Sequence, residues 1–269
     1  MIGLFLGNRD LPKLIIKSLK KKNINYFIID LTEKKIFKNF KNSYSINIGK
    51  FGKILEIINS KNCRKVIFAG NIVKPSISSL KLDLKGIYYI PRIIKAAKLG
   101  DAAILKELIK ILSENNIKVI KLNTFNPELT LKKGIYTKIK PSNSDRKEIF
   151  QGIKILKKIN SYNHTQAAII RNNKVISLEK RKGTKEMIKS IAKSKDKRGI
   201  LIKLPKLKQD LRVDLPTIGL DTFKDCNNVG IKGIVVKSNQ NIILNKKESI
   251  KYANRNKLFL IAIWKKFLF

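Results

Sequence analysis

The sequence predicts an α/β fold in two domains, an N-terminal Rossmann-like parallel sheet with helices packed on it and a C-terminal α/β domain. Three observations point there. Short apolar runs of strand length, Ile2–Leu6, Tyr26–Leu31 and Lys65–Ala69, alternate with stretches whose apolar residues recur at helical spacing. Glycines stand at the carboxyl ends of two of these runs, Gly7 and Gly70. Between Asn126 and Asp145 the period fades into Pro127, Gly134, Pro141 and a Ser-Asn-Ser-Asp stretch, which places the domains at residues 1–130 and 145–269 with a link over 131–144.

Taken in order, Ile2–Leu6 ends in Gly7-Asn-Arg-Asp-Leu-Pro12, after which Leu11, Leu14, Ile15 and Leu19 share one face of a helix. Tyr26–Leu31 is a second strand, Lys53–Ser60 a helix and Lys65–Ala69 a third strand. Sheets of this kind bind ligands beyond the carboxyl ends of their strands. Gly7 and Asn8 after the first strand, and Gly70 and Asn71 after the third, are therefore candidates for meeting a uracil or phosphate, with a structural turn as the alternative. The fingerprint Gly-x-Gly-x-x-Gly is absent, which counts against a nicotinamide oxidoreductase. Pro91–Ala97 reads as a short helix stopped by Gly100, Asp101 as the N-cap of a helix over Ala102–Asn115, and Lys118–Phe125 as a strand.

In the second domain a helix opens at Ser142 or Ser144 and runs to Asn160. Gln166–Ile170 and Lys174–Leu178 are strands joined by a hairpin turn at Asn172-Asn173. Gly183-Thr184 opens a helix over Lys185–Lys193, where free backbone amides and the helix dipole favour an anion; an ordinary N-cap is the alternative for Thr184. Gly199–Leu204 is an apolar strand carrying Lys203. A helix over Asp221–Val229, strands Gly233–Val236 and Ile242–Leu244, a helix over Glu248–Asn254 and a last strand Leu258–Ile263 complete the chain.

The 269 residues, 43% of them hydrophobic, suffice for packed cores, and no apolar run approaches the ~20 residues that span a bilayer. Met1–Gly7 lacks the basic start of a signal peptide, so the protein is expected in the cytoplasm, at most touching a membrane from inside. Against 19 Asp+Glu stand 59 Lys+Arg, a formal +40 that attracts nucleic acid, anionic lipid or phosphorylated metabolites. A basic nucleic-acid-binding protein is the rival reading; 7% aromatic content and the lack of a helix-turn-helix, RNA-recognition or zinc-finger pattern count against it. Cys63 and Cys226 lack metal-ligand spacing, and the single histidine, His164, cannot supply a binuclear phosphoesterase centre and is expected to be structural. Trp264-Lys-Lys-Phe-Leu-Phe269 interleaves aromatics with lysines, and either meets a bilayer surface or packs back on the last strand.

The chemistry concentrates in Gln209-Asp-Leu-Arg-Val-Asp-Leu-Pro-Thr-Ile-Gly219. Pro216 opposes a helix, and in extended chain Asp210, Arg212 and Asp214 point to one face, where carboxylates flanking a guanidinium can hold a hard metal ion and a phosphate. A polar edge strand with a local ion pair is the alternative.

Arg212-Val-Asp-Leu-Pro-Thr-Ile-Gly219 with Asp221-Thr222 resembles the signature of the UDP-2,3-diacylglucosamine diphosphatases of lipid A biosynthesis, the magnesium-dependent type without a calcineurin-like fold. Phe51-Gly-Lys-Ile54, Phe68-Ala-Gly-Asn71, Gly100-Asp101 and Gly183-Thr184 follow the same family's order and spacing. Arg9 replaces the second glycine of the family's Gly-x-Gly-x-Leu-Pro, and Lys182 and Lys185 replace acidic residues of its Glu-x-x-Glu-Gly-Thr-Asp, which begins here at Glu179. The resemblance implies hydrolysis of UDP-2,3-diacylglucosamine to UMP and 2,3-diacylglucosamine 1-phosphate, with Mg²⁺ as cofactor and the active site in the interdomain cleft. It implies that Asp214 is the essential carboxylate, either ligating Mg²⁺ or orienting water, and it places Asp101 near the nucleotide. Arg212 and Lys203 are the candidates for gripping the pyrophosphate. The expected partners are the UDP-lipid and the anionic inner face of a Gram-negative inner membrane, not nucleic acid; a homodimer is allowed.

Overall fold

The computed structural model describes residues 1–72, 79–160, 165–194, 196, 198–207 and 209–264. His164 and residues 265–269 of the basic aromatic end lie outside them. The chain divides into two compact units, one of Met1–Asn126 with Arg212–Asp214, the other of Pro127–Leu211 with Leu215–Phe269.

The first unit is a doubly wound α/β layer. Its elements are β1 (Ile2–Leu6), α1 (Leu11–Lys21), β2 (Tyr26–Asp30), β3 (Ser43–Ser45), α2 (Phe51–Ser60), β4 (Lys65–Ala69), α3 (Leu84–Lys98), α4 (Asp101–Glu114) and β5 (Lys118–Val119). The strand order is β3-β2-β1-β4-β5 and every pairing is parallel. All five residues of β1 are buried, which suits a central parallel strand covered on both faces. The order turns back at β1, so the carboxyl ends of β1 and β4 form the switch point where such sheets place ligands. Phe5, Phe27, Ile54, Ile58 and Phe68 share one core, in which Phe5 and Phe68 stack with centroids 4.7 Å apart. Val213 packs against the same core, which is why Arg212–Asp214 belong with this unit.

Three expectations for this unit are corrected. The helix expected over Pro91–Ala97 is the longer α3, because Asp83 caps it by accepting from the Gly86 amide at 2.8 Å and Pro91 sits inside it. Gly100, with φ 103°, is the N-cap of α4, so Asp101 is the first helical residue and caps nothing with its side chain. The strand expected over Lys118–Phe125 is cut to β5, since the pairing with β4 covers only Lys118 and Val119 and a 3-10 turn over Leu122–Thr124 follows.

The second unit comprises β6 (Gly134–Ile135), α5 (Asn143–Asn160), β7 (Ala167–Arg171), β8 (Lys174–Leu178), α6 (Gly183–Lys189), β9 (Ile200–Lys203), β10 (Thr217–Ile218), α7 (Leu220–Asn228), β11 (Gly233–Lys237), β12 (Ile242–Ile243), α8 (Lys246–Arg255) and β13 (Phe259–Ile263). Its main sheet runs β6-β13-β11-β9-β7-β8, parallel across β13-β11-β9 and antiparallel at both margins. Alternation along the strands builds a core on each face. Ile169, Leu201, Ile234 and Leu260 meet Met187 of α6 and Phe223 of α7 on one side. Ile170, Ile202, Val235 and Ile261 meet Ile149, Ile153 and Leu156 of α5 on the other.

Residues 131–144 are no bare link. Leu131 is buried in the first of these cores and β6 pairs with β13. Pattern gave no warning, because a two-residue strand carries no period. The helix expected over Lys185–Lys193 is α6, which starts at Gly183 and ends at Lys189.

Candidate functional site

In the first unit, four candidates converge at the switch point. Gly7 donates its amide to Ala69 O at 2.8 Å, Asn8 donates to Asn71 O at 2.8 Å, and Asn71 returns a bond to Asn8 O at 3.0 Å. These bonds lock the ends of β1 and β4 into an antiparallel bridge between Asn8 and Asn71. The approach requires glycine: a Cβ on Gly7 would stand 2.4 Å from Asn71 O, and Gly70 has φ +87° with Asn8 O at 2.6 Å from its would-be Cβ. The amides of Gly7, Asn8 and Asn71 are thus spent on backbone carbonyls of the two strand ends, which leaves the half-buried Asn8 side chain and the exposed Asn71 side chain as the groups that can meet a ligand. Asp101 lies exposed in the first turn of α4, where its charge suits the helix dipole.

The carboxylate at the end of β2, where dinucleotide-binding sheets hold a ribose, is used differently. Asp30 is buried and accepts from the Thr32 amide at 3.0 Å, the Thr32 hydroxyl at 2.6 Å and the Phe37 amide at 2.9 Å. It organises the loop that follows it.

Arg212 and Asp214 belong to this same unit, half-buried on either side of Val213. The extended arrangement expected for Asp210–Asp214 is corrected here, because Leu211, Arg212 and Val213 form a turn. Period-2 alternation needs a ladder, and the nearest pairing begins only at Thr217, opposite Ile242. Asp210, Arg212 and Asp214 therefore do not share one face by strand geometry.

The second unit holds the remaining candidates around a buried charge. Lys203, the last residue of β9, is 6% exposed. Leu201 two residues earlier faces the core that holds α6, and alternation turns Lys203 the same way. Its Nζ donates to Thr184 Oγ1 at 2.5 Å and stands 3.9 Å from Glu179 Oε1. The Thr184 hydroxyl in turn donates to Glu179 Oε1 at 2.6 Å, and Glu179 Oε2 accepts from the Gln166 amide at 3.3 Å. Asn241, also buried, donates to Lys203 O at 3.1 Å and accepts from the Lys237 amide at 2.8 Å. Thr184 is not the N-cap of α6; Lys182 is, and Gly183 takes φ +85° at the first helical position. The triad pairs a cation with a carboxylate away from water, the condition on which a charge can be buried at all.

Glu179, named from the sequence only as the start of a family motif, and Asn241, not named at all, are the candidates that the buried Lys203 adds. The signal for Glu179 was a carboxylate between a strand and a glycine-threonine turn, in a chain with only 19 acidic residues. Asn241 gave none, since its role depends on β9 and β11 lying side by side.

Among the described residues no three His, Cys, Asp or Glu side chains gather into a metal cage. Mg²⁺ does not need one, because it commonly takes one or two carboxylates and completes its shell with phosphate oxygens and water. The half-buried Asp214 carboxylate fits such a substrate-borne ion.

The comparisons with known proteins agree over both units. Residues 1–129 match the LpxI N-terminal domain and residues 132–261 the LpxI C-terminal domain. UDP-2,3-diacylglucosamine pyrophosphatase LpxI of Caulobacter vibrioides is 28% identical over 226 residues, which cover 81% of each chain. Two family domains in the family's order, one over each half of the sequence, show that this chain belongs to the LpxI family.

Proposed function

We propose that the protein hydrolyses the pyrophosphate bond of UDP-2,3-diacylglucosamine in lipid A biosynthesis, releasing UMP and 2,3-diacylglucosamine 1-phosphate. The match to both LpxI domains along the whole chain carries the reading, and the activity in the name of the Caulobacter relative supplies the substrate. Water adds to phosphorus, the bridging P–O bond breaks, and the two phosphates share the protons of that water. Asp214 is the essential carboxylate, holding Mg²⁺ or orienting the water. Mg²⁺, when bound, supplies positive charge against the developing phosphate charge. Arg212 grips phosphate oxygens with its fork, and the charge excess of the chain draws a polyanionic substrate. Lys203 adds a fixed positive charge in the second unit, oriented by Thr184 and Glu179. The diacylated substrate resides in a bilayer, so the protein works as a peripheral enzyme on the inner face of the inner membrane.

The test is release of UMP from the UDP-lipid in detergent micelles, with and without Mg²⁺. Asp214→Asn should lower turnover by about a hundredfold or more while leaving the fold intact, and a variant keeping more than about a tenth of the wild-type rate would remove Asp214 from the chemistry. Arg212→Lys should fall well short of wild type, because a point charge does not replace a bidentate fork. No UMP from the folded wild-type protein would sink the reading.

A further inference from the structure

Helix α3 carries an apolar stripe that is exposed among the described residues of its unit. Gly86, Tyr89, Ile93 and Ala96 face inward: Gly86 and Ala96 are buried, Tyr89 meets Phe51 edge-on at 5.4 Å, and Ile93 packs on the core. At 100° per residue, Leu84, Ile87 and Tyr88 fall on the opposite side. Leu84 is 86% exposed, Ile87 56% and Tyr88 71%. The same stripe continues into Lys95 and Lys98, both exposed, and ends at Leu99, which is 75% exposed. Three large apolar side chains in adjacent helical positions, followed by lysines, make an interfacial helix face rather than scattered surface residues.

We infer that this face of α3 is the surface by which the protein docks on an anionic lipid bilayer. Leu84 and Ile87 enter the boundary between headgroups and acyl chains, Tyr88 sits at headgroup level, and Lys95 and Lys98 meet lipid phosphates. Charge selects this occupant. A second copy of the chain would bury the same lysines in a seam to which α3 brings no acidic residue, on a protein of net charge +40. Nucleic acid would satisfy the lysines but gains nothing from exposed leucine and isoleucine. The inference rests in part on the proposed function, whose substrate holds its acyl chains in a bilayer, but its test needs no substrate.

The experiment is co-sedimentation of the full-length protein with phosphatidylcholine vesicles and with vesicles containing phosphatidylglycerol. The wild type should bind the anionic vesicles, less so as salt rises, and should bind neutral ones weakly. Leu84→Ser/Ile87→Ser/Tyr88→Ser should weaken anionic binding by about tenfold or more. Lys95→Gln/Lys98→Gln should weaken it by about thirtyfold. Every substituted side chain is exposed, and circular dichroism checks that the fold survives. Wild-type binding by both variants would overturn the inference, as would absence of binding at low salt. A wild-type dimer in sedimentation velocity that the triple variant dissolves would assign the stripe to a second copy and overturn it too. UMP release from micelles, measured alongside, separates this inference from the proposed function. Stripe-dependent vesicle binding without hydrolysis leaves the surface standing, and hydrolysis with stripe-independent binding removes only the surface.

Discussion

At the scale of single residues, the buried Lys203 is a costly choice in the second unit. Its ammonium meets Thr184 Oγ1 at 2.5 Å and Glu179 Oε1 at 3.9 Å, so the three groups stand or fall together. Breaking a buried ion pair by removing one member is strongly destabilising, because the remaining charge loses part of its compensation, and Glu179→Ala should destabilise the protein by about 3–5 kcal/mol in urea denaturation. Replacing both charges, Glu179→Gln with Lys203→Met, should recover most of that loss. A double variant as unstable as the sum of its singles would show that the two residues act independently. Arg9 presents the opposite case, a non-glycine residue held at φ 82° in the left-handed region. Arg9→Gly should stabilise the protein by roughly 0.5–1 kcal/mol, the relief of a left-handed backbone less the entropy glycine adds to the unfolded chain. Lower stability would mean that the Arg9 side chain contributes more than its backbone costs.

At the scale of elements, Asp83 ties two helices together. It accepts from the Gly52 and Lys53 amides in the first turn of α2, both at 3.0 Å, and from Gly86 in the first turn of α3 at 2.8 Å. Burial acts to raise its pKa, but the bonds from Gly52, Gly86 and Lys53 and the charge of Lys50 outweigh it, and the carboxyl is held below its usual range. A depressed carboxylate contributes stability above its unfolded pKa of about 3.9, and loses it as pH falls through the lower folded value. Asp83→Ala should therefore cost about 1–2 kcal/mol at neutral pH, and the gap to wild type should close below pH ~4. A gap that persists at pH 2 would assign the loss to packing.

The same residue shows how far the sequence could be read. Strands such as β4 and β8 follow from local pattern, and the chain places them at the expected residues Lys65–Ala69 and Lys174–Leu178. The start of α3 does not follow, because its cap was hidden behind Pro91, a residue that normally ends helices. Proline removes only its own bond to the Ile87 carbonyl, and that turn lies on the open side of α3, where solvent can satisfy the oxygen. The turn over Leu211–Val213 was illegible for a related reason. Its residue types announce chemistry, but their directions depend on Val213 finding the core of a unit whose other residues end at Asn126.

At the scale of the whole molecule, the decisive quantity is the ratio of 59 basic to 19 acidic residues. Five of the acids are placed where they cap, turn or pair. Asp30 and Asp83 hold backbone amides, Asp145 binds Lys232 at 2.5 Å and Ser142, and Glu107 and Glu114 clasp Arg92 at 2.6 and 2.7 Å. Fifty-nine basic residues far outnumber the acids that could pair with them, and a compact state so charged is destabilised by its own field. Salt screens that field over about 10 Å at 0.1 M, so raising sodium chloride from about 0.02 to 0.5 M should raise Tm. A protein held by surface ion pairs would show the reverse. Over the same range vesicle binding should fall, because one field opposes the compact fold and attracts the anionic surface. Scanning calorimetry in chloride at matched ionic strength against a weakly excluded salt isolates screening from the general effect of excluded ions. A Tm that stays flat or falls would mean that the surface lysines are already neutralised within the fold, and the electrostatic part of the docking argument would fall with it.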